Sequence, residues 1–501
     1  MQKRRTFILN GVLMSAVGIA LRTVTLMFGA YISMKIGAEA VGLNTVIMSV
    51  YGFALTLASS GVNLTVTRLV ASHIGAEREE NIRGTLLGAI AYALFFSALA
   101  TVLLFVLSGL VSTSIINDTR AMPALNMLAL SLIPASIGGV FSGYFLAKRM
   151  APLNAGIMLL GQGVRIAVTV ILLSGEGVKG SDAVMALAIG LTVSEIFCFL
   201  LGFLALIIVN RRMQRGRVKA EIRPVTEMAL PLAASAYIRS GLLSLEHSLI
   251  PKRLETRGDS INDALSDLGT MQGMALPMIL YPLSPLSSFA GLLLPELAEA
   301  EAARDAKRRA RIARTAITYT LYYAIITAAV LFIFSEELGY GIYNSYAAGY
   351  FIAILSPVIP IMYLDHVVDS MLKGIGEHVY SMWVNIADSL LSVMLVWALI
   401  PKMGIEGYAL VIILMELFNF ILSYIRLRKR IHMKISLTDA IILPSAAALM
   451  GAILARVLFV NGSRFLAWAF ALKIIFVLCV YICLLILFGA IIGGSRRKHN
   501  R

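Results

Sequence analysis

Ten polar side chains stand where a chain of this kind should have none: Arg22, Arg165, Glu195, Arg239, Glu246, Asp365, Asp369, Asn385, Asp388 and Glu416 all fall inside long apolar runs. Each ionisable group buried in hydrocarbon costs about 2.5 kcal/mol or more, so each is a functional candidate. Arg22 and Arg239 carry planar forks suited to holding phosphate oxygens two at a time; alternatively, each pairs with a carboxylate or carbonyls of its own bundle. Glu246, two turns beyond Arg239 and nearly on its face, could hold that arginine or join a cation site; alternatively, it is an interfacial carboxylate near the outer end of its helix. Arg165 and Glu195 suggest an ion pair between neighbouring helices, reached by a snorkelling guanidinium. Asp365 and Asp369 share a helix face, and Asn385 and Asp388 follow on the next helix. Converging oxygens suit Na⁺, while a carboxylate alone suffices for H⁺. Asp369 and Lys373 could instead be a plain i,i+4 pair. Glu416 has no visible partner.

The elements that must position these groups are membrane helices. The 501 residues are 59% hydrophobic and 14% charged, with mean hydropathy +0.84. Soluble domains run near 45–50% apolar and about 25% charged. Apolar runs able to cross about 30 Å of hydrocarbon lie at 7–34, 40–68, 82–111, 122–147, 151–173, 183–209, 224–251, 264–298, 312–334, 346–372, 379–401, 404–427, 437–460 and 464–490. The expectation is an all-α integral membrane protein of about fourteen transmembrane helices. The first run follows Lys3-Arg4-Arg5 but is too long for a cleaved signal, so it reads as a retained helix. Helix eight carries Pro277, Pro282, Pro285 and Pro295 and should bend.

Alternate connectors carry 30 and 9 of the Lys and Arg residues, with four inside spans. Such asymmetry places the richer side, and both termini, in the cytoplasm of a bacterial cell. The net charge of +15 is thereby a topology signal, with attraction to anionic membrane lipids as a by-product and no nucleic-acid partner implied. The chain also repeats: Arg22 precedes Lys35 by thirteen residues, as Arg239 precedes Lys252. Parallel repeats give an N-terminal six-helix lobe over 1–209, a basic linker over 210–223, a second lobe over 224–434, and two added helices with a basic tail over 435–501.

Enzyme chemistry has no support. There is no phosphate-binding G-x-x-x-x-G-K-[ST], no H-E-x-x-H, no histidine cluster and no nucleophile elbow. No catalytic residue, metal ligand or cofactor is assigned. Cys198, Cys479 and Cys483 read as small buried hydrophobes. Gly139-xxx-Gly143 and Gly269-xxx-Gly273 read as close helix packing, and the sequon at Asn63 falls inside a span.

Four stretches carry a likeness to a family. They are VGIALRTVTLMFGAYISMKIGAEAVG (17–42), ALTLASSGVNLTVTRLVA (54–71), GMALPMILYPLSPLSSFAGLLLPELAEA (273–300) and MLKGIGEH (371–378). In that order they resemble the MVF and stage-V-sporulation-B group of polysaccharide flippases, within the MOP exporter superfamily that also holds the MATE drug exporters. The resemblance implies two lobes in a V around a central cavity, with residues 437–490 placed as the two extra helices that hold a lipid tail in lipid II flippases. It implies movement of undecaprenyl-pyrophosphate sugars, or a related cell-wall precursor, from the cytoplasmic to the outer leaflet. Arg22, Arg239 and Glu246 would then line the headgroup path, with a cation site near Asp365, Asp369, Asn385 and Asp388 driven by Na⁺ or H⁺. A monomer is expected. Two other readings stand beside it: a MATE-like antiporter of organic cations, which cavity arginines would repel, and a non-transporting scaffold for envelope assembly or sporulation.

Overall fold

In the computed structural model, residues 2–59, 61–76, 79–175, 180–210, 220–433, 438–459 and 473–486 are described. Every described element is helical, and each expected span has its counterpart. The first two share α1 (Gln2–Ser59), which is broken at Gly37 with φ 83° and ψ 166°. Only glycine adopts that conformation without strain. A second break at Gly61, φ 70°, starts α2 (Val62–Gly75). The apolar stretch Ala20–Gly75 is 56 residues long. At 1.5 Å per residue it is roughly 84 Å, more than twice the hydrocarbon thickness. One rod cannot stay in the bilayer, so the glycine break makes two crossings of it.

Then come α3 (Glu79–Leu110), α4 (Ala121–Ala129), α5 (Leu132–Ala147), α6 (Ala151–Leu173), α7 (Ser181–Val209), α8 (Ile222–Glu255) and α9 (Ile261–Leu268). They continue into α10 (Leu276–Leu280), α11 (Leu283–Ala302), α12 (Ala306–Ile333), α13 (Ser335–Tyr343), α14 (Tyr346–Leu355), α15 (Ile359–Gly374), α16 (His378–Met403), α17 (Ile405–Arg430) and α18 (Leu443–Phe459). A last apolar helix covers Lys473–Ile486. Among the described residues eight helices are long and apolar enough to span, eleven if each bent pair is one crossing. Counting Ala20–Gly75 as two and adding the apolar helices at 440–454 and 473–486 recovers the expected set. The expected bend in helix eight is present: Ile261–Leu280 and Leu283–Ala302 meet at 57° around Pro282. Carbonyls at the bend find side-chain donors, with Tyr363 Oη bonding Ile279 O at 2.8 Å and Tyr323 Oη bonding Pro282 O at 2.7 Å. In hydrocarbon such carbonyls have no water to turn to.

Packing divides the chain into two compact units. One comprises residues up to Leu21, Lys35–Gly269 and Ser392–Ile405; the other comprises Arg22–Met34, Thr270–Leu391 and Glu406 onward. This differs from the sequence division at 209 and 224. Helix α8 packs with the helices that precede it: Val225 and Ala229 are fully buried in one core with Val66 of α2, Ala89 of α3 and Tyr144 of α5. The sequence repeat describes which helices are alike, whereas packing depends on whose surface each one covers.

Within the first unit, α2 and α5 touch backbone to backbone. A Cβ on Gly143 would lie 2.5 Å from Asn63 O. Asn63 Nδ2 donates to Gly139 O at 3.1 Å and Thr67 Oγ1 to Gly143 O at 3.1 Å. The small-residue motif is therefore packing, as read, and the asparagine of the sequon is consumed in it. Within the second unit, Lys473 of the last helix meets Glu337 of α13 at 3.0 Å, and Tyr481 Oη donates to Tyr322 O of α12 at 2.9 Å. The cysteines depart from expectation: Cys198 is half-buried, but Cys479 and Cys483 are exposed. An apolar residue on a membrane helix has no need of a core, because hydrocarbon is an equally good solvent for it.

Candidate functional site

In the second unit, α15, the part of α16 up to Leu391, and α17 bring the acidic residues together. Asp369 is the terminus of a polar chain. It accepts from Lys373 Nζ at 2.5 Å and from the Ser381 hydroxyl, and Asn385 Nδ2 donates to Ser381 O at 2.7 Å. The i,i+4 pairing weighed from the sequence is thus formed, and the Asn385 amide is turned toward its own helix. The other acids continue from it. Asp365 is under the charges of Asp369, Asp388 and Lys373, with Ser423 of α17 bonding it, and Asp365 and Asp388 act in turn on Glu416. Asp365 Oδ1 is buried without a hydrogen-bond partner. The three aspartates expected near one cation site are thus electrostatic neighbours, the Asn385 amide faces its own helix, and Glu416, unassigned in the sequence, lies within reach of Asp365 and Asp388. Among the described residues no group of three His, Cys, Asp or Glu side chains is tight enough to hold a metal ion.

Arg22 belongs to this same unit. It is exposed, and its Nη1 donates to Ser284 Oγ of α11 at 3.1 Å. Next to it, Thr23 Oγ1 and Tyr281 Oη are 2.9 Å apart. The Pro282 bend supplies both partners, so the bent helix positions the arginine. His366 of α15 is within electrostatic reach of Arg22, Asp369 and Lys373.

The first unit holds the rest. Arg239 of α8 is exposed, beside Ser240, whose hydroxyl accepts from Thr56 at 3.1 Å. Glu246 is 7% exposed, so two turns along α8 the environment has changed and the pair does not share one setting. Arg165 and Glu195 line a cavity of about 330 Å³ together with Asn63, Asn154, Gln162 and Ser194. Their charges act on each other through this polar space and not through a direct salt bridge. The expected lock between α6 and α7 is instead supplied by Ser194 Oγ, which donates to Gly161 O at 2.9 Å.

Outside the spans two charge clusters are paired. Arg120 meets Asp118 at 2.6 Å and Glu39 at 2.7 Å, which raises its affinity for the proton above that of a free guanidinium. Glu377, between α15 and α16, accepts from Arg426 at 2.8 Å and Arg430 at 2.5 Å. The Arg426 hydrogen bond, with Arg430 adding to it, holds the Glu377 carboxyl below the ordinary glutamate range.

The MatE family profile matches residues 296–398. Stage V sporulation protein B of Bacillus subtilis (strain 168) is 23% identical over 421 residues, covering 82% of this chain and 81% of the relative. An inward-facing multidrug resistance MATE family transporter of the MOP superfamily superposes with TM-score 0.67 at 15% identity, over 83% of this chain and 98% of the other. The lipid II flippase MurJ in an inward closed conformation gives TM-score 0.67 at 12% identity, over 94% of this chain and 98% of the other. The chain has the MOP-superfamily fold. Its likeness to the stage-V-sporulation-B group, carried by four short motifs, holds over most of its length. The fold is that of a multi-pass membrane protein, and the superposed structures are of a multidrug transporter and a lipid flippase.

Glu416 and Ser423 are the residues that sequence reasoning missed. An acid in mid-span was visible, but its register against α15 and α16 was not. Ser284 and Tyr281 had a sequence signal in the proline-rich bend, yet nothing there named Arg22 as their partner.

Proposed function

We propose that the protein moves a lipid-linked oligosaccharide or cell-wall precursor, an undecaprenyl-pyrophosphate sugar, from the cytoplasmic to the outer leaflet of a bacterial cell membrane. Both termini then lie in the cytoplasm. The observation that carries this reading is a pair of exposed guanidinium groups, Arg22 and Arg239, on membrane helices of a MOP-fold chain. An exporter of organic cations gains nothing from such groups, whereas a pyrophosphate headgroup needs them. The MurJ match supports the same choice, since it covers 94% of this chain against 83% for the MATE structure. The difference is on the scale of the last two helices.

In this mechanism each arginine binds headgroup phosphate within its own unit while the hydrocarbon tail stays in lipid. The chain shows no nucleotide-binding loop, so an ion gradient or mass action must supply the energy. Asp365, with Asp369, Asp388 and Glu416 around it, is the centre of the ion-responsive group: carboxylates gathered in hydrocarbon favour protons or a monovalent cation as counter-charge. The test is protection of the lipid-linked sugar from an external hydrolase, in cells depleted of other flippases. Normal exposure of the sugar by both Arg22→Ala and Arg239→Ala would sink the proposal. The MatE profile over 296–398 favours a second reading, a cation-coupled antiporter. Efflux of organic cations that survives both arginine substitutions would select it.

A further inference from the structure

The first unit contains a second cavity, larger than the polar one and opposite in character. It has a volume of about 470 Å³ and lies among α1, α3 and α8, with Phe53, Ala54, Ala100 and Leu104 in its wall. Its few polar groups do not face inward: Ser248 Oγ, for one, donates to Ser244 O of its own helix at 2.8 Å. Water does not fill such a space, because it finds no partners there. The wall is also open on its outer side. Leu103, Leu107 and Leu245 line the cavity while remaining 41%, 42% and 46% exposed.

Size narrows the occupant. A dry apolar cavity of about 150 Å³ takes one benzene, six carbons. The present cavity, at about 470 Å³, scales to roughly eighteen carbons, the length of a single acyl chain. It is too small for the whole of an undecaprenyl tail. Charge fixes which end the head occupies. Lys252 lies one turn beyond Ser248 on α8, is exposed, and donates from Nζ to Ser114 O at 3.2 Å, next to the lining residue Ile115. It is also in the last turn of its helix, with Arg253 beside it. Glu255, the nearest acid on α8, is engaged by Asn117 Nδ2 at 2.8 Å.

We infer that this cavity is a binding site for one anionic glycerophospholipid, its acyl chain between α1, α3 and α8 and its phosphate at Lys252. A resident lipid of this kind is not the cargo, and the inference stands whichever cargo the protein carries.

Native mass spectrometry of the full-length protein tests it, with phosphatidylglycerol, phosphatidylcholine and undecaprenyl phosphate added in turn. The expected result is one retained phosphatidylglycerol, preferred about ten-fold over phosphatidylcholine. Ala54→Phe, which fills the cavity, should abolish retention. Lys252→Gln, an exposed change that leaves the core untouched, should erase the head preference while a chain still binds. Phosphatidylglycerol should also raise the melting temperature of the natural protein and of Lys252→Gln more than that of Ala54→Phe, by mass action on the folded state. Equal retention of both phospholipids by the natural protein, or unchanged retention after Ala54→Phe, overturns the site. Displacement of phosphatidylglycerol by equimolar undecaprenyl phosphate overturns the acyl-chain assignment and makes the cavity a carrier site.

Discussion

Glu377 and Asp365 are both acids of the second unit, twelve residues apart, and they are treated in opposite ways. Glu377 lies between helices and receives two arginines, Arg426 and Arg430, from α17. Asp365 lies within α15, leaves Oδ1 without a partner, and has Asp369 and Asp388 for neighbours, with Glu416 in its field and the cation Lys373 acting on it. A carboxylate saturated by guanidinium groups is held in one protonation state and serves as a rivet. A carboxylate among carboxylates needs a mobile counter-charge, and mobility is what ion coupling requires. The same contrast separates Arg120, held by Asp118 and Glu39, from the exposed Arg22 and Arg239. Pairing marks architecture here, and it is less complete at these positions inside the spans.

The largest effect expected is at the arginines. Arg22→Ala or Arg239→Ala should each stop flipping with insertion unchanged. Loss of one charge-assisted bidentate contact should weaken headgroup binding by about ten- to a hundred-fold. Arg→Lys should keep part of the activity, since an ammonium is a point donor where the guanidinium is a fork. Full activity in the lysine variants would reduce the arginines to simple positive charges.

Next in size is the acidic group. Asp365→Asn, Asp388→Asn and Glu416→Gln should each reduce the response of transport to an imposed Na⁺ or pH gradient in proteoliposomes. Asp369→Asn should act chiefly on stability, because its partners are Lys373 and Ser381. A larger coupling defect at Asp369 than at Glu416 would move the ion-responsive centre toward the Lys373 end of the acidic row.

A smaller effect belongs to the rivet. Glu377→Gln should cost about 1–2 kcal/mol, after discounting for the solvent around Arg430. Because the folded pKa of Glu377 is lowered, this stability is complete above the unfolded glutamate range and is lost as pH falls through the folded value. Melting curves of the natural protein and Glu377→Gln should therefore differ by a constant amount at neutral pH and converge only below about pH 4. Convergence near pH 7 would mean that the arginines do not hold the carboxylate.

The least perturbing experiment is topological. In a background without the native cysteines, Ser181→Cys and Glu336→Cys should react with an impermeant thiol reagent in intact cells, and Lys307→Cys should not. The reverse pattern would invert the membrane orientation and, with it, the side on which Glu377 and its arginines lie.

Much of the architecture was readable in the chain because a bilayer imposes a one-dimensional rule: about twenty apolar residues per crossing, charges at the ends. Pro282 announced its bend and Gly143 its close contact. The candidate site was only partly readable. That Arg22, Arg239, Asp365, Asp388 and Glu416 stood inside spans was a fact of sequence, and so was the cost of putting them there. Their partners were not. Ser284 lies 262 residues from Arg22, and Glu416 lies 51 from Asp365. Periodicity fixes the face of one helix, but not its rotation and register against another. Tertiary packing alone decided that α8 joins the preceding helices, that Asn385 turns away from the acids while Glu416 joins them, and that Arg165 and Glu195 share a polar cavity without touching. The physical reason is that helix contacts in a bilayer come from shape and from scattered hydrogen bonds, and neither leaves a periodic signal in the chain.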